Sequence, residues 1–363
     1  MKQIVQKSKY IIQEEGITTF IDRAIKNVIV RGKRRILNSS EDFLRWSELK
    51  NKYKGQRAFL IGNGPSLNKL PLYLLRNEYA IGFNRVYLLK ERLNWLPGFY
   101  TTIDDRVLLD SIDEIKENLP NFKSVFLPDL HPYNINFRRK FTESEKLYWL
   151  YLDKLEFSNN LPYAGINKSV ANVGLQILAY FGFSPIYIIG VDLEYKVHSS
   201  VVKNSKRDLT STQDDDPNHF DPRYFGAGRA YHNPRMEETF LRFKQAKLFF
   251  DKLGIKIHNA GIGGKLDAFP RVNYSDLFDY SDEEKKKLFL ESFDISYCEK
   301  DLTKIFNDLP VIDSFNKWDN EAAVIAVKQE LGIKLINKVI FTHIPKGPFD
   351  GIYYFFKREN STN

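Results

Sequence analysis

Short apolar runs recur along the chain, and each ends at a polar or glycine-containing turn. In the run 58–61 every position is apolar, without the alternation of a half-exposed strand, which predicts a strand buried on both faces. Apolar positions at helical spacing predict helices over 170–181 and 236–253. Further strands are predicted at 79–83, 98–103, 124–127, 186–190 and 256–258. Strands and helices in this order predict an α/β fold with a doubly wound, mostly parallel sheet.

Polar side chains directly follow four of the predicted strands. They are Asn63, Asn84, Asp104 and Asp192. In an open parallel sheet the carboxyl ends of the strands meet at one edge, and ligands bind beyond that edge. The sequence therefore predicts that these four side chains line a common ligand site.

The turn after the first strand has the composition of a ligand-binding loop. Gly62 and Gly64 allow a sharp turn and a close approach of the backbone, and Asn63 between them offers a donor and an acceptor. Pro65 and Ser66 then favour a short helical stretch. A purely geometric use of the glycines explains the pattern equally well. The turn is neither a Walker loop nor a complete Gly-x-Gly-x-x-Gly motif, which disfavours nucleotide hydrolysis and ordinary nicotinamide binding.

Composition limits the class of protein. A chain of 363 residues with 43% hydrophobic content is long enough for one large domain with extensions, or for two domains. Its single cysteine, Cys298, excludes an internal disulfide and a cysteine-based zinc site, and favours a reducing compartment. No stretch approaches the roughly 20 apolar residues that span a bilayer. A cytoplasmic protein is predicted, without a membrane span.

The net charge of +8 is concentrated at the N-terminal end, where residues 1–40 contain nine basic and three acidic residues. Apolar residues recur at helical spacing between positions 17 and 29. Two interpretations stay open, a basic amphipathic helix on an anionic membrane and a helix docked on the protein. No nucleic-acid-binding motif is present, so no nucleic acid partner is predicted. The oligomeric state is left open.

Three regions are predicted. Residues 1–54 form a basic helical N-terminal region that ends in a polar connector, 55–281 form a Rossmann-like nucleotide-binding catalytic domain, and 282–363 form a helical C-terminal extension. Within the catalytic domain, the long segment 198–235 is rich in aromatic residues, glycines and histidines, which is typical of a lid. Its first part, 199–213, is predicted to be flexible.

The Gly-Asn-Gly-Pro-Ser turn, the second strand ending in Phe-Asn-Arg, the strand ending in Gly-Val-Asp at 190–192 and a histidine ahead of the 236–253 helix resemble two related groups. One is the bacterial sialyltransferases of glycosyltransferase family 42. The other is the MptE-like group, named for archaeal 6-hydroxymethylpterin diphosphokinase, which includes bacterial surface-glycan transferases. The resemblance covers about residues 55–278 and implies a Rossmann-like, GT-A-like variant of the α/β fold.

The resemblance also implies a nucleotide site. Asn63 and Asn84 match asparagines that contact a CMP-linked donor, and Tyr195, shortly after Asp192, corresponds to a tyrosine that hydrogen-bonds the donor phosphate. Asp104 replaces an asparagine of the sialyltransferases and adds a negative charge. The donor-binding Thr-Ser-Gly segment falls on 169–171. The predicted nucleotide-binding residues are Gly62, Asn63, Gly64, Pro65, Ser66, Asn84, Asp104, Ser169, Val170, Ala171, Asp192 and Tyr195.

Sugar transfer requires a base for the acceptor hydroxyl and donors for the departing phosphate. His232 matches the sialyltransferase base by its position ahead of the helix, and His219 is the alternative; a structural role is possible for either. Tyr224, Arg229 and Lys265 are candidates for phosphate or acceptor binding, although Arg229 can equally be solvated and the glycine-rich loop of Lys265 purely structural.

The predicted function is a glycosyltransferase of bacterial surface polysaccharide synthesis at the inner face of the cell membrane. Its donor is a nucleotide-activated sugar, most plausibly CMP-linked and sialic-acid-like, and its acceptor a glycan or lipid-linked glycan. No cofactor is expected, and the Asp run 214–216 is as easily solvated as metal-binding. One alternative is an MptE-like pyrophosphokinase acting on a pterin-like molecule, with ATP and Mg²⁺ held by Asp104, Asp105 and Asp192. A non-catalytic nucleotide-binding scaffold is another.

Overall fold

The computed structural model describes most of residues 40–293 and short pieces of both ends. The described residues are 17–18, 21, 24–25, 28, 32, 40–91, 93, 95–131, 135–154, 156–204, 208–293, 339–343 and 354–358. Most of the predicted N-terminal helix, Cys298 and most of the predicted C-terminal extension therefore lie outside the described residues.

The described strands and helices are numbered in chain order. The strands are β1 (Ala58–Ile61), β2 (Ala80–Phe83), β3 (Phe99–Thr101), β4 (Ser124–Pro128), β5 (Leu130–His131), β6 (Ile135–Asn136), β7 (Leu147–Lys154), β8 (Tyr163–Gly165), β9 (Ile186–Ile189), β10 (Val201–Lys203), β11 (Asp208–Ser211), β12 (Ala230–His232), β13 (Ile257–Asn259), β14 (Val339–His343) and β15 (Tyr354–Arg358). The α-helices between residues 40 and 293 are α1 (Ser40–Leu49), α2 (Asp105–Asp110), α3 (Ile112–Asn118), α4 (Val170–Tyr180), α5 (Met236–Lys252) and α6 (Asp282–Phe293).

An eight-stranded sheet forms the centre of the fold, in the order β13-β9-β1-β2-β3-β4-β7-β8. Every neighbouring pair in it is parallel. The chain starts at β1, moves outward to β8, and then returns to place β9 on the other side of β1. The predicted doubly wound α/β fold is confirmed, and its topological switch point lies between β1 and β9.

Both faces of the sheet are covered, as the unbroken apolar run of β1 predicts. Successive side chains of a strand point to opposite faces. Phe59 and Ile61 accordingly belong to one buried core, with the 3₁₀ turns after β1 and with α2 and α3. Ala58 and Leu60 belong to the other, with α1, α4 and α5. All four side chains have no exposed surface.

The polar connector predicted before β1 is wrong, because it begins within α1 and its Trp46, Leu49 and Tyr53 side chains are buried, although Phe43 and Leu44 are exposed. Trp46 of α1 is 1% exposed and donates its Nε1 hydrogen to the Trp149 carbonyl oxygen at 2.9 Å. Asp42 is buried too, where it pairs with Arg138 and accepts a hydrogen bond from the Tyr151 hydroxyl at 2.5 Å. Segment 40–53 thus packs against the sheet, while the division into domains stays a prediction.

The segment 199–213 was predicted to be flexible, but its described residues include regular β-strands. β10, β11 and β12 form a three-stranded antiparallel sheet, so this part of the predicted lid is built on regular backbone hydrogen bonds. In the C-terminal region, α6 fits the predicted helical extension, but β14 and β15 pair as antiparallel strands.

At the N-terminal end the described residues are helical and exposed. Ile17, Ile21, Ile25 and Val28 are 60%, 49%, 55% and 69% exposed, at a spacing that places them on one helix face. No helix within the described ranges is long and apolar enough to cross a membrane.

Candidate functional site

The Gly-x-Gly turn lies at the switch point, packed against the end of β9. The Gly62 N–H donates to the Ile189 carbonyl at 2.8 Å, and the Gly64 N–H donates to the Gly190 carbonyl at 2.8 Å. A Cβ atom added to Gly62 would overlap the Gly190 backbone. Gly62 is therefore required by the close approach of two chain segments, whatever ligand the turn binds.

Ser66 and Asp192 fix the far side of the turn. The Asp192 carboxylate accepts a hydrogen bond from the Ser66 N–H at 3.0 Å and another from the Ser66 hydroxyl. A side chain on Gly64 would collide with this carboxylate. Asp192 was predicted as a nucleotide-binding residue. In the structure both of its carboxylate oxygens accept hydrogen bonds from Ser66, so it stabilises the turn.

Asn63 and Asn84 are brought together at the ends of β1 and β2. The Asn63 Nδ2 group donates to the Phe83 carbonyl at 3.1 Å and to the Tyr224 hydroxyl at 3.0 Å. Its Oδ1 atom is buried and has no hydrogen-bond partner. Asn84 has a left-handed backbone (φ 48°), and its Oδ1 atom accepts from the Thr102 hydroxyl at 2.8 Å.

The N-terminus of α4 lies at the same edge, because α4 follows β8 and packs back over β1 and β2. The Ser169 hydroxyl caps the helix by accepting from the Ala171 N–H at 3.2 Å. The two residues before it, Asn167 and Lys168, both have positive φ, of 43° and 62°. Such backbone is uncommon for residues other than glycine and clusters at functional sites.

His232 lies beside Asp104 and Asp105 at the end of β3. One ligand atom from each side chain falls within 4.8 Å of the others, and His232 Nε2 is 3.7 Å from Asp105 Oδ1. Asp104 also caps α2, accepting from the N–H groups of residues 106 and 107 at 3.0 and 3.1 Å. The interaction with Asp105, helped by the Asp104 charge, raises the pKa of His232 despite its partial burial. Two carboxylates and an imidazole also form a chemically suitable set for a divalent cation.

His219 is held inside the lid. Its Nδ1 atom is 2.7 Å from Oδ2 of Asp216, a carboxylate that is 5% exposed, and its ring stacks on Tyr224 with centroids 3.9 Å apart. Burial alone raises the pKa of Asp216, but the hydrogen bond from His219 and two backbone N–H groups lower it below its usual value. An anionic Asp216 fixes the tautomer and orientation of the ring.

Glu114 of α3 anchors the lid to the sheet. Its carboxylate pairs with Arg85 and Arg229 and accepts a hydrogen bond from the Tyr87 hydroxyl at 2.6 Å. Burial raises the pKa of Glu114, but these three partners together lower it. Arg229, predicted as a phosphate or acceptor ligand, also bonds to Asp110 at 2.8 Å, so its guanidinium is engaged within the protein.

The remaining predicted residues have protein partners. The Tyr195 hydroxyl donates to the Tyr231 hydroxyl at 2.9 Å. The Lys265 side chain is 72% exposed and lies 3.6 Å from Glu194. In the loop before Lys265, the carbonyls of residues 263 and 264 accept hydrogen bonds from Arg271 at 2.8 and 2.9 Å. The carbonyl oxygens of this loop therefore face the Arg271 guanidinium. An anion site needs backbone N–H groups instead.

The structure thus gathers most of the predicted edge residues and adds partners that the sequence did not reveal. Each acid of the 214–216 run is used within the fold: Asp214 accepts from the Ala227 N–H, Asp215 from the Ser200 hydroxyl, and Asp216 from His219. Asp105 was predicted only as a Mg²⁺ ligand of the pyrophosphokinase alternative, and its position beside His232 was not predicted. Glu114 was missed as a member of the site.

Residues 34–198 match the MptE-like family model. Its description is 6-hydroxymethylpterin diphosphokinase MptE-like. The matched segment contains the turn at β1, the strand ends of β2, β3 and β9, and the N-terminus of α4, and it ends before His219 and His232. A sequence search of the curated proteins found no match.

Two solved structures are similar to this chain. One is the sialyltransferase CstII from Campylobacter jejuni in complex with a substrate analogue, cytidine-5'-monophosphate; at 12% identity and a TM-score of 0.35, the match covers 66% of this chain and 98% of that one. The other is a tyrosine-to-phenylalanine variant of the sialyltransferase Cst-II in complex with CMP; at 12% identity and a TM-score of 0.34, it covers 60% of this chain and 86% of that one.

Proposed function

We propose that the protein is a glycosyltransferase that transfers a sugar from a CMP-linked nucleotide donor to a glycan or lipid-linked acceptor in surface polysaccharide synthesis. The observation that carries the proposal is the convergence of Asn63, Asn84, the α4 N-terminus and His232 on the carboxyl edge of one parallel sheet at its switch point. The sequence resemblance of this edge to the donor site of the family 42 sialyltransferases supplies the reaction type.

The groups proposed to bind the nucleotide donor are uncharged. The amides of Asn63 and Asn84 offer hydrogen bonds to the nucleotide, and the N-terminus of the 11-residue α4 attracts a phosphate. Departure of CMP breaks the bond between the anomeric carbon and a phosphate oxygen, and the electron pair leaves with CMP. Tyr195 stays a candidate for contact with that phosphate, after its bond to Tyr231 is exchanged.

His232 is proposed as the base. Its side chain is 40% exposed, so an acceptor hydroxyl reaches it, and the neighbouring carboxylate of Asp105 stabilises the imidazolium that forms when the hydroxyl proton is taken up. The deprotonated acceptor oxygen then bonds to the anomeric carbon. His219 is the alternative base, but its stacking on Tyr224 inside the lid leaves its side chain only 18% exposed.

The membrane location is proposed from the N-terminal helix. An exposed apolar face within a segment that carries nine basic and three acidic residues is suited to the anionic inner face of a cell membrane, where lipid-linked acceptors are found.

Release of CMP from a panel of CMP-sugars in the presence of lipid-linked glycan tests the proposal. The wild-type protein is expected to release CMP, and His232→Ala to lose at least about 100-fold in rate, the usual contribution of a general base. His258→Gln, a histidine change within β13, serves as the control and keeps the wild-type rate. Absence of both CMP binding and CMP release would refute the proposal; CMP binding without turnover of any donor would leave a nucleotide-binding scaffold.

A pyrophosphokinase is the second candidate, favoured by the Asp104, Asp105 and His232 cluster and by the family model that matches residues 34–198. These side chains would hold Mg²⁺, which supplies charge neutralisation for the phosphates of ATP. This function predicts AMP formation from ATP and 6-hydroxymethylpterin that requires Mg²⁺ and is lost in Asp105→Asn. Thermal-shift titrations with CMP, and with ATP with and without Mg²⁺, separate the two candidates.

A further inference from the structure

A side chain of the lid, Tyr224, already contacts the asparagines proposed to bind the donor. Its hydroxyl receives a hydrogen bond from Asn63 Nδ2 at 3.0 Å. The Asn84 side chain lies near the same hydroxyl, where it opposes the rise in the pKa of Tyr224 that burial causes. Because Asn84 Oδ1 accepts from Thr102, its Nδ2 group is the one left for Tyr224. The Asn63 amide thus donates to a phenolic oxygen in the way it would donate to an acceptor oxygen of a ligand.

The lid segment around Tyr224 covers the Gly-Asn-Gly turn closely. Tyr224 is 1% exposed, with its ring stacked face to face on His219. The Phe220 N–H donates to the Asn63 carbonyl at 2.9 Å, and the Asn68 side chain donates to the Phe220 carbonyl at 3.0 Å. The backbone and the side chain of Asn63 thus both face the lid.

Polar contacts hold the lid in this position. The buried Arg85 donates to the carbonyl oxygens of Arg223 and Tyr224, the latter at 2.7 Å. Further along the lid, Arg229 bridges to Asp110 and Glu114. Asn63 Oδ1 nevertheless remains buried without a partner. A buried unpaired carbonyl is unfavourable, so the docked lid satisfies the Asn63 amide incompletely.

We propose that Tyr224 is an internal occupant of the donor site, which competes with the nucleotide for Asn63 and Asn84, so that this part of the lid must lift before the donor binds. The inference rests on the proposed function, since it takes the two asparagines as donor contacts. The group that Tyr224 replaces is an acceptor oxygen of the nucleotide, from a phosphate or a base carbonyl. His219 moves with Tyr224, because the two rings are stacked, whereas His232 stays against Asp104 and Asp105.

Tyr224→Phe tests the competition without removing the ring that packs in the lid. Isothermal titration with CMP is expected to give a dissociation constant about tenfold lower for Tyr224→Phe than for the wild type, since the competing hydrogen bonds are lost. Hydrogen exchange of the backbone amides of 218–226 is expected to become faster in the same variant. Tyr274→Phe is the matched control: it removes a buried hydroxyl that donates to the Pro71 carbonyl at 3.4 Å, outside the lid, and is expected to leave CMP affinity within about twofold of the wild type.

Three outcomes overturn the inference. If the wild type binds CMP but Tyr224→Phe binds it more weakly, Tyr224 is a wall or a ligand of the site, and the proposed function is unaffected. If neither protein binds CMP, this inference and the proposed cytidine donor fail together. Faster exchange in Tyr224→Phe, with unchanged CMP affinity, likewise excludes competition and limits Tyr224 to a structural contact of the lid.

Discussion

At the scale of single residues, Asp105 controls the pH at which His232 is neutral. Its carboxylate raises the pKa of His232, and only the neutral ring accepts a proton. Activity is therefore expected to rise with pH through this pKa. Asp105→Asn lowers the pKa, so the acid limb of the profile of kcat/KM for CMP release is expected to move down by about one pH unit.

The control for this variant is Asp113→Asn, which removes a carboxylate that is 92% exposed on α3. It is expected to leave the acid limb in place. An acid limb that stays unchanged in Asp105→Asn, or moves to higher pH, would contradict the assignment of His232 as the base.

A second prediction at the scale of single residues concerns the effect of a side chain at Gly62. A Cβ atom there meets the backbone of Gly190 and the Val191 side chain, and a backbone cannot give way as a flexible side chain does. Gly62→Ala is expected to lower the free energy of unfolding by about 1–3 kcal/mol, as overpacking does elsewhere. Urea denaturation measures the change. Gly98→Ala, whose new methyl has its nearest neighbour at 3.8 Å, is the control and is expected to cost under about 0.5 kcal/mol.

The sequence was informative about residues that follow strands and uninformative about their partners. Asn63, Asn84 and Asp104 were predicted at one edge, because parallel strands leave no other arrangement, and they lie there. The pairing of Asp105 with His232 joins residues more than 120 positions apart. Nothing in local spacing encodes such a contact, and the same holds for Tyr224 and Asn63.

At the scale of elements, α4 fixes the loop that precedes it through a buried amide. Gln176 Oε1 accepts from the N–H groups of Ser158 and Gly165, both at 2.9 Å, and its Nε2 group donates to the Gly165 and Asn172 carbonyls, also at 2.9 Å. Gln176 has no exposed surface. One side chain thus satisfies backbone groups from three chain segments.

Gln176→Met keeps the shape of the side chain and removes these hydrogen bonds. The buried backbone groups then lose their partners, which is expected to cost about 2–4 kcal/mol of unfolding free energy. Chemical denaturation measures this, and Gln245→Met on the exposed side of α5 is the control, with an expected change under about 0.5 kcal/mol. A loss below 1 kcal/mol in Gln176→Met would show that water replaces the amide.

Elements with an unbroken or periodic apolar pattern were predicted well, including the short strands of the central sheet, whereas α1, β7 and β8 were not predicted. β1 and α4 match their predicted positions, whereas β8 has three residues and α1 exposes most of its positions. In α1 the packing depends on Trp46 and Leu49, too few apolar side chains to give a period. The strands of the lid pair with one another and lie outside the main sheet, so their polar sequence was predicted as flexible.

At the scale of the whole molecule, the N-terminal helix and the localised charge predict binding to anionic vesicles. Ile21→Glu places a charge on the exposed apolar face and is expected to weaken binding to phosphatidylglycerol-containing vesicles at least about tenfold, since burial of one such side chain contributes about 1.5–3 kcal/mol. Vesicle co-sedimentation measures this. Asn27→Glu adds the same charge in place of a residue that is already polar and is expected to weaken binding less.

Raising the salt concentration is expected to weaken vesicle binding by the wild type, because screening reduces the attraction between basic residues and the lipid surface. Equal binding to neutral and anionic vesicles, or equal losses in the two variants, would contradict the predicted orientation of the helix.

The bond between Ser66 and Asp192 has a consequence for the order of folding. The two residues are 126 positions apart, and the second half of the sheet must form before the carboxylate reaches the first turn. Closing so long a loop is entropically costly, so this contact forms late unless much of the sheet is already in place. During synthesis, a ribosome-bound chain that ends before residue 192 contains the complete Gly-x-Gly sequence but lacks the carboxylate that braces it. The proposed nucleotide binding is thereby tied to completion of the sheet.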